Sequence, residues 1–592
     1  MFQTFPTLPT GELTASMLAF LPETIICIGI VLLLVIRLFD TRTHLASIAF
    51  TVCLAALLVS LCQFPQTLSL FGEEGALRDT IKSIQGEPRG PIFQNLLAYD
   101  NLTIYLRCFL YTFTALVIWL STTTGIPDRE DSADFYTLLL GATLGMAIMA
   151  SACHLLMLWI GVEMASLPSY ALAGYLKGKR QSSEAALKYV VYGGGASGVM
   201  LFGISLLAGK FGTGYLPTLS TELARSLPLV AGTTAVDPVV LMGGLFLLVG
   251  IAFKLAAVPF HFWCPDVFEG AAAEVAGYLS VASKAAALAM LARVVSLFGG
   301  LDHNFIMAGL QGQWLSVARF LIPALAFFAA LTATFGNLAA YLQTNLKRLL
   351  AYSTIAQAGY MMMALAAMTR EGVGAVLFYL VAYLFMNLGA FAVVAYLRNI
   401  TGSEDLSSFR GLVRRAPWMV LTLSIFLLSL LGVPPLIGFA AKFQVFSALF
   451  HGGQEYYQMG QPGLGATLYG LLVIGGINTV ISAVYYVKVM KVMILDRRAE
   501  DLEDREPVRL AEPLSGMVYA GVLAAAVFVL GLTWGPIDSA SRAGSEQFRE
   551  VVGQFAPAVM PPPSLRPGGP PRPRGPAGGD GGVRPPGPPG PR

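Results

Sequence analysis

Two lysines stand where a membrane gives a charge little support. Lys254 lies in the apolar run GIAFKLAAVPFHFW, and Lys284 lies in LSVASKAAALA. An ammonium at bilayer depth costs roughly 2.5–3.5 kcal/mol on insertion scales, so such residues mark proton or ion paths. Glu163, in the middle of LLMLWIGVEMASLPSYAL, adds a carboxylate at similar depth. Lys442 follows a double proline in PPLIGFAAKF, and Lys188 opens a further apolar run in SSEAALKYVVY. Desolvation loosens a lysine's hold on its proton, and a nearby carboxylate restores it. A Glu–Lys–Lys series is therefore a set of sites whose protonation small movements can switch.

Plainer readings stand beside these. Glu163 could be a polar group satisfied by a neighbouring helix, and Lys188 could snorkel to the interface. Asp266 and Glu269 could be solvated loop charges. His154, His261 and His303 fall near expected span ends, where an interfacial hydrogen bond is the simple role. The six cysteines form no CxxC pair and read as small buried hydrophobes. There is no HExxH spacing, no Walker A loop and no metal or iron–sulfur ligand pattern, so no cofactor is expected on this chain.

The elements that must hold these residues are membrane helices. Of 592 residues, 55% are hydrophobic and only 12% are charged. Soluble domains carry about 25% charged residues, so a soluble enzyme is excluded and an all-α polytopic membrane protein is expected. Spans 1 to 3 are expected at Met17–Leu38, His44–Phe64 and Leu97–Ser121. Spans 4 and 5 form a hairpin at Phe135–Ala150 and Cys153–Tyr175. Spans 6 to 8 follow at Ala186–Ala208, Pro238–Phe262 and Ala273–Phe298. Spans 9 to 11 are Phe320–Leu342, Leu349–Met368 and Val373–Leu397. Span 12 is a broken pair within Pro417–Phe450, interrupted at Gly432-Val-Pro-Pro-Leu-Ile-Gly438. Spans 13 and 14 are Gly465–Val487 and Leu514–Trp534, for about 14 crossings at the usual span length.

Spans 4–8 and 9–13 read as two groups of five, each with a proline-broken fourth member. A tandem unit with an odd number of spans must be inverted, and inverted repeats with broken helices mark ion-coupled transporters. The expected division is a three-helix segment at 1–130, a first repeat at 131–300, a second at 301–497, a final helix at 498–540 and a tail at 541–592. From Pro557 to Arg592 the tail is nearly all Pro, Gly and Arg and is expected to be disordered. Loops after odd-numbered spans carry eighteen Lys and Arg, against eight after even-numbered ones. The bias places the odd loops in the cytoplasm and both termini outside.

The runs KLAAVPFHFWCPDVFEGA, LSVASKAAALA, LKRLLAYSTIAQAGY and GVPPLIGFAAKF resemble the antiporter-like proton-pumping subunits of respiratory complex I, and among them the N subunits. The resemblance extends from about Leu97 to Val492. It implies a proton half-channel in each repeat, with Glu163, Lys188, Lys254, Lys284 and Lys442 as the residues that carry protons. It implies that NADH, FMN, iron–sulfur clusters and quinone belong to partner subunits, which include another antiporter-like subunit and small membrane subunits. It also implies an inner-membrane location. One stretch departs from the family's usual EGAPTPV: here it is Glu269-Gly-Ala-Ala-Ala-Glu274-Val, without prolines and with an added acid. A subunit of a multi-subunit sodium/proton antiporter is the rival reading, because it shares the repeat. A non-pumping membrane scaffold is a second.

Overall fold

The computed structural model describes residues 10–39, 44–64, 90–127, 132–226, 237–299, 311–497 and 510–546. The chain falls into two units, Met1–Gln554 and Phe555–Arg592, and only the first contains described residues. The Pro557–Arg592 tail, His303 and most of the polar loop Gly72–Gly90 lie outside them.

The short helix α1 (Thr10–Ala19) leads to α2 (Leu21–Leu38) and α3 (Leu45–Gln63). A small hairpin, β1 (Gly90–Ile92) with β2 (Leu97–Tyr99), precedes α4 (Asn101–Thr124). Asp100 caps α4 by accepting from the Thr103 N–H at 2.8 Å, which satisfies one of the helix's free donors. The hairpin α5 (Ser132–Ser151) and α6 (Leu155–Ala173) comes next. It is followed by α7 (Arg180–Phe211), α8 (Leu216–Ser226), α9 (Pro238–Leu255), α10 (Trp263–Gly270) and α11 (Ala273–Gly299). A second hairpin, α12 (Gln311–Ala340) and α13 (Leu346–Ala366), leads to α14 (Arg370–Thr401), α15 (Pro417–Leu431), α16 (Ile437–Gln458) and α17 (Pro462–Ile494). The series ends with α18 (Leu514–Leu532) and α19 (Gly535–Gly544).

Among the described residues, 13 helices are long and apolar enough to cross a membrane, and α15, at 15 residues, is a shorter apolar helix. Both expected breaks occur, and each helix stops where proline chemistry requires. A proline ring clashes with the carbonyl four residues earlier. α9 stops at Leu255, four residues before Pro259, rather than running to Phe262 as expected from hydropathy. α15 stops at Leu431, four residues before Pro435. Ala256 and Gly432 then turn the chain in the left-handed region, at φ 55° and 93°.

The centre of the molecule is α11, α13 and α14. The apolar windows of these three are almost wholly buried, that of α11 completely. α2, α3, α7, α17 and α18 instead turn apolar side chains outward, among them Ile28, Val31, Val191 and Val480. Each helix hairpin closes over a glycine. A Cβ on Gly145 would lie 2.3 Å from the Ala165 nitrogen, and one on Gly336 would lie 2.7 Å from that of Ala356. Backbones approach this closely only over the smallest residues. α13 begins at Leu346, not Leu349, so Lys347 and Arg348 belong to its first turn and not to a free loop.

Candidate functional site

The break after α9 sets Lys254 one residue from a helix C-terminus, whose free carbonyls favour a cation. Its side chain is 2% exposed, and its Nζ has no hydrogen-bond partner. Glu163, half-buried on α6, and Lys284 are the charges within its electrostatic reach. Lys284 sits near the middle of the fully buried α11, is 0% exposed and also has an unbonded Nζ. Lys442, 4% exposed, reaches back from α16 to donate to the Leu431 carbonyl at 2.8 Å. That carbonyl is one that the break after α15 leaves without a helical partner.

Aromatic faces, not carboxylates, line the three ammoniums. Lys254 lies 5.9 Å from the Tyr189 ring, Lys284 5.6 Å from Trp263 and 5.5 Å from Phe268, and Lys442 4.7 Å from Tyr360. Tyr189 and Trp263 are themselves stacked at 4.4 Å, so Lys254 and Lys284 address one aromatic pair. A ring attracts the charged form without accepting a directed hydrogen bond, worth about 2 kcal/mol when desolvated. The proton therefore keeps partial support and remains free to leave.

Lys188 differs from the other candidates. Its side chain is 35% exposed, and it pairs with Glu184 at 2.8 Å and Asp266 at 2.7 Å. Asp266 also takes Arg348 at 2.7 Å, and Arg348 reaches Glu269 at 2.7 Å. Asp266 and Glu269 are thus not simple solvated charges: they tie α7, α10 and α13 together. Burial alone would raise the Asp266 carboxyl, but hydrogen bonds from Lys188 and Arg348 outweigh it and hold it below the ordinary carboxylate value.

Between Lys284 and Lys442 the structure supplies neutral polar groups that a search for charges passes over. Ser280, one turn before Lys284, accepts from Asn387 at 2.5 Å. One turn along α14, Tyr383 donates to Thr354 at 3.0 Å. Gln357, a further turn along α13, accepts from Tyr379 and donates to Tyr486 at 3.2 Å. Gln357 also donates to the Leu430 carbonyl at 3.1 Å, beside the Leu431 carbonyl that holds Lys442. Each of these side chains is buried. Helical turns of about 5.4 Å join the bonded steps into one run.

Buried ions outside this run were also missed. Glu23 and Arg107 form an ion pair at 2.5 Å inside the first three spans, with Arg107 also donating to Ala19 and Gln63. Both lie within apolar stretches, the signal that exposed Lys254. Arg293, on α11, is buried and bonded to Asp100 at 2.8 Å. Lys347 is buried as well, bonded to the Ala271 carbonyl at 2.7 Å and to Glu404 at 3.0 Å. His261 is buried beside Phe262 and Phe335, whereas His154 caps α6 by accepting from the Leu156 N–H.

A family model described as NADH:quinone oxidoreductase/Mrp antiporter, TM, matches residues 152–459. The chain is 40% identical over 476 residues to NADH-quinone oxidoreductase subunit N of Anaeromyxobacter sp. (strain Fw109-5), covering 79% of this chain and 88% of that protein. It is 38% identical over 536 residues to NADH-quinone oxidoreductase subunit N 2 of Sorangium cellulosum (strain So ce56), covering 89% and 97%. Its fold is similar to a chain of respiratory complex I from Thermus thermophilus with bound Aureothin. The TM-score is 0.65 and the identity 28%, over 88% of this chain and 100% of that one.

Proposed function

For a chain that belongs to the N subunits of NADH-quinone oxidoreductase, the proton-translocating membrane subunits of respiratory complex I, we propose that Glu163, Lys188, Lys254, Lys284 and Lys442 carry the protons. The observation that carries this reading is the polar run from Lys284 through Ser280, Asn387, Tyr383, Thr354 and Gln357 to Lys442. It crosses the most deeply buried part of the molecule, α11, α13 and α14. A core built only for packing gains little from such a run, because each buried polar group costs free energy unless fully bonded.

The sequence of events follows from charge. Lys254 and Lys284 interact electrostatically, and two ammoniums in a low-dielectric core repel. A proton arriving on Lys254 therefore drives the proton of Lys284 onward to Lys442. Glu163 steadies the charged form of Lys254, and withdrawal of Glu163 releases it. Lys188, held by Asp266 and Glu184, supplies protons from the face that carries the odd-numbered loops. That face is cytoplasmic on the charge count, which puts both termini on the outer side of the inner membrane. The two five-helix groups, 131–300 and 301–497, act as inverted repeats. Electron transfer from NADH through FMN and iron–sulfur clusters to quinone takes place in partner subunits.

The test is proton pumping in membranes that carry Lys254→Ala in the assembled complex. Pumping is expected to fall by at least about tenfold, a modest share of what a positioned proton-transfer group contributes. Unchanged pumping with normal assembly contradicts the assignment.

A further inference from the structure

The short helix α10 serves two parts of the proposed path at once. It is eight residues long and follows the break after α9. One face buries Trp263, Cys264, Val267 and Phe268. Trp263 and Phe268 are the rings that stand by Lys284, at 5.6 Å and 5.5 Å. Trp263 also stacks on Tyr189, the ring beside Lys254, and its Nε1 donates to the Phe253 carbonyl at 2.9 Å. At 3.6 residues per turn, Asp266 and Glu269 fall together on the other face. Both are half-buried there.

α13 grips α10 with two consecutive residues. Lys347 donates to the carbonyl of Ala271, the residue that caps α10, at 2.7 Å. Arg348 donates to Asp266 Oδ1 and Glu269 Oε2, at 2.7 Å each. The other oxygen of Asp266 takes Lys188 of α7 at 2.7 Å, and Lys188 also has Glu184 at 2.8 Å. The charges alternate through Glu184, Lys188, Asp266, Arg348 and Glu269. Asp266 is the shared member, and each cation keeps an acid of its own if Asp266 lets it go. Ion pairs as exposed as these add little stability. Their effect is on position, because a helix moves as a rigid element and carries both its faces with it.

We propose that Arg348 is a positioning residue for proton transfer: from α13 it sets α10, and through α10 it fixes both the carboxylate beside Lys188 and the rings beside Lys284. Arg348 itself passes no proton. A shift of α13 against α7 moves Asp266 along the line of charges and moves Trp263 and Phe268 with it. Entry at Lys188 and support of the charged Lys284 are thereby adjusted in one step. α13 belongs to the second proposed five-helix group, and α7 and α10 belong to the first. Arg348 thus makes the path in the first group depend on the second. The inference rests on the proton-path reading, which supplies the roles of Lys188 and Lys284.

The test is the whole complex in sealed membranes, with NADH oxidation and proton uptake recorded per assembled complex. A merely structural role lowers the amount of complex, whereas a positioning role lowers uptake in the complexes that form. Arg348→Ala is expected to lower that uptake about tenfold, within what misplaced reacting groups cost. Arg348→Lys keeps the charge but loses the planar fork, so it should restore part of the uptake. Added to Lys284→Met, Arg348→Ala should lower the remaining uptake no further, because residues that act as a unit are not additive. Wild-type uptake in assembled Arg348→Ala overturns the proposal, and so do losses that multiply in the double variant. If Arg348→Ala does not assemble, Asp266→Asn decides, since it removes the shared acid and leaves each cation its own. Wild-type uptake in Asp266→Asn, or failure of that variant to assemble as well, overturns the proposal. Normal pumping in Arg348→Ala while Lys254→Ala is defective sinks only this residue. Normal pumping in both sinks the path itself.

Discussion

Lys254, Lys284 and Lys442 were legible because a charge in an apolar run stands out. Their surroundings were not, because aromatic faces and neutral amides leave no mark in hydropathy. Gln357 is the clearest case: it lies in the quoted run LKRLLAYSTIAQAGY, a stretch in which a search for carboxylates finds nothing. Glu23 and Arg107 could have been found by the logic that found Lys254. Their pair predicts a specific energetic outcome. Arg107→Ala should destabilise the protein by about 3–5 kcal/mol, because it strands a buried carboxylate. Replacing both, as Glu23→Leu with Arg107→Met, should recover most of that loss, and thermal unfolding in detergent would show it. Asp266 gives a pH prediction. Its native value is depressed, so its stabilising effect is present above the unfolded value near 3.9 and fades as pH falls through the native value. Acidification below about pH 4 should lower the melting temperature, and Asp266→Asn should flatten that dependence.

The helices followed closely from length and hydropathy, and the misplacements have definite causes. α9 ends four residues before Pro259, short of the expected Phe262, because the ring reaches back to that carbonyl, whereas α15 ends at Leu431, where the break was expected. The start expected at Leu349 left Lys347 and Arg348 outside span 10, whereas ion pairs with Glu404 and Glu269 let the helix begin at Leu346. The breaks themselves are testable. Gly432 turns at φ 93°, and a Cβ there would also meet the Lys442 Cδ at 3.0 Å. Gly432→Ala should strain the turn by about 1–2 kcal/mol and displace Lys442 from the Leu431 carbonyl. Pumping is expected to suffer more than stability, which a paired measurement of proton uptake and unfolding temperature checks. Gly145 tests packing instead of chemistry. Gly145→Leu should force the α5–α6 backbones apart and cost about 1–3 kcal/mol or more, visible as loss of assembled protein.

The molecule as a whole places its polar run in α11, α13 and α14 and turns apolar side chains outward on α2, α3, α7, α17 and α18. Membership of the complex was readable from four motifs spread between Lys254 and Phe443, because together they specify both breaks and the lysines near them. Mild extraction should therefore bring the chain down with flavin- and iron–sulfur-bearing subunits. Recovery with only antiporter subunits would favour the sodium/proton reading that the family description also covers.

The most direct experiment compares proton uptake per NADH oxidised in sealed membranes carrying Lys284→Met with that of the unaltered complex. Methionine keeps the length and apolar body of the side chain and removes only the site that binds a proton. The polar run predicts a normally assembled complex whose proton uptake collapses. An assembled Lys284→Met complex that pumps the same number of protons per NADH would contradict it, and would leave the buried lysines a role in packing alone.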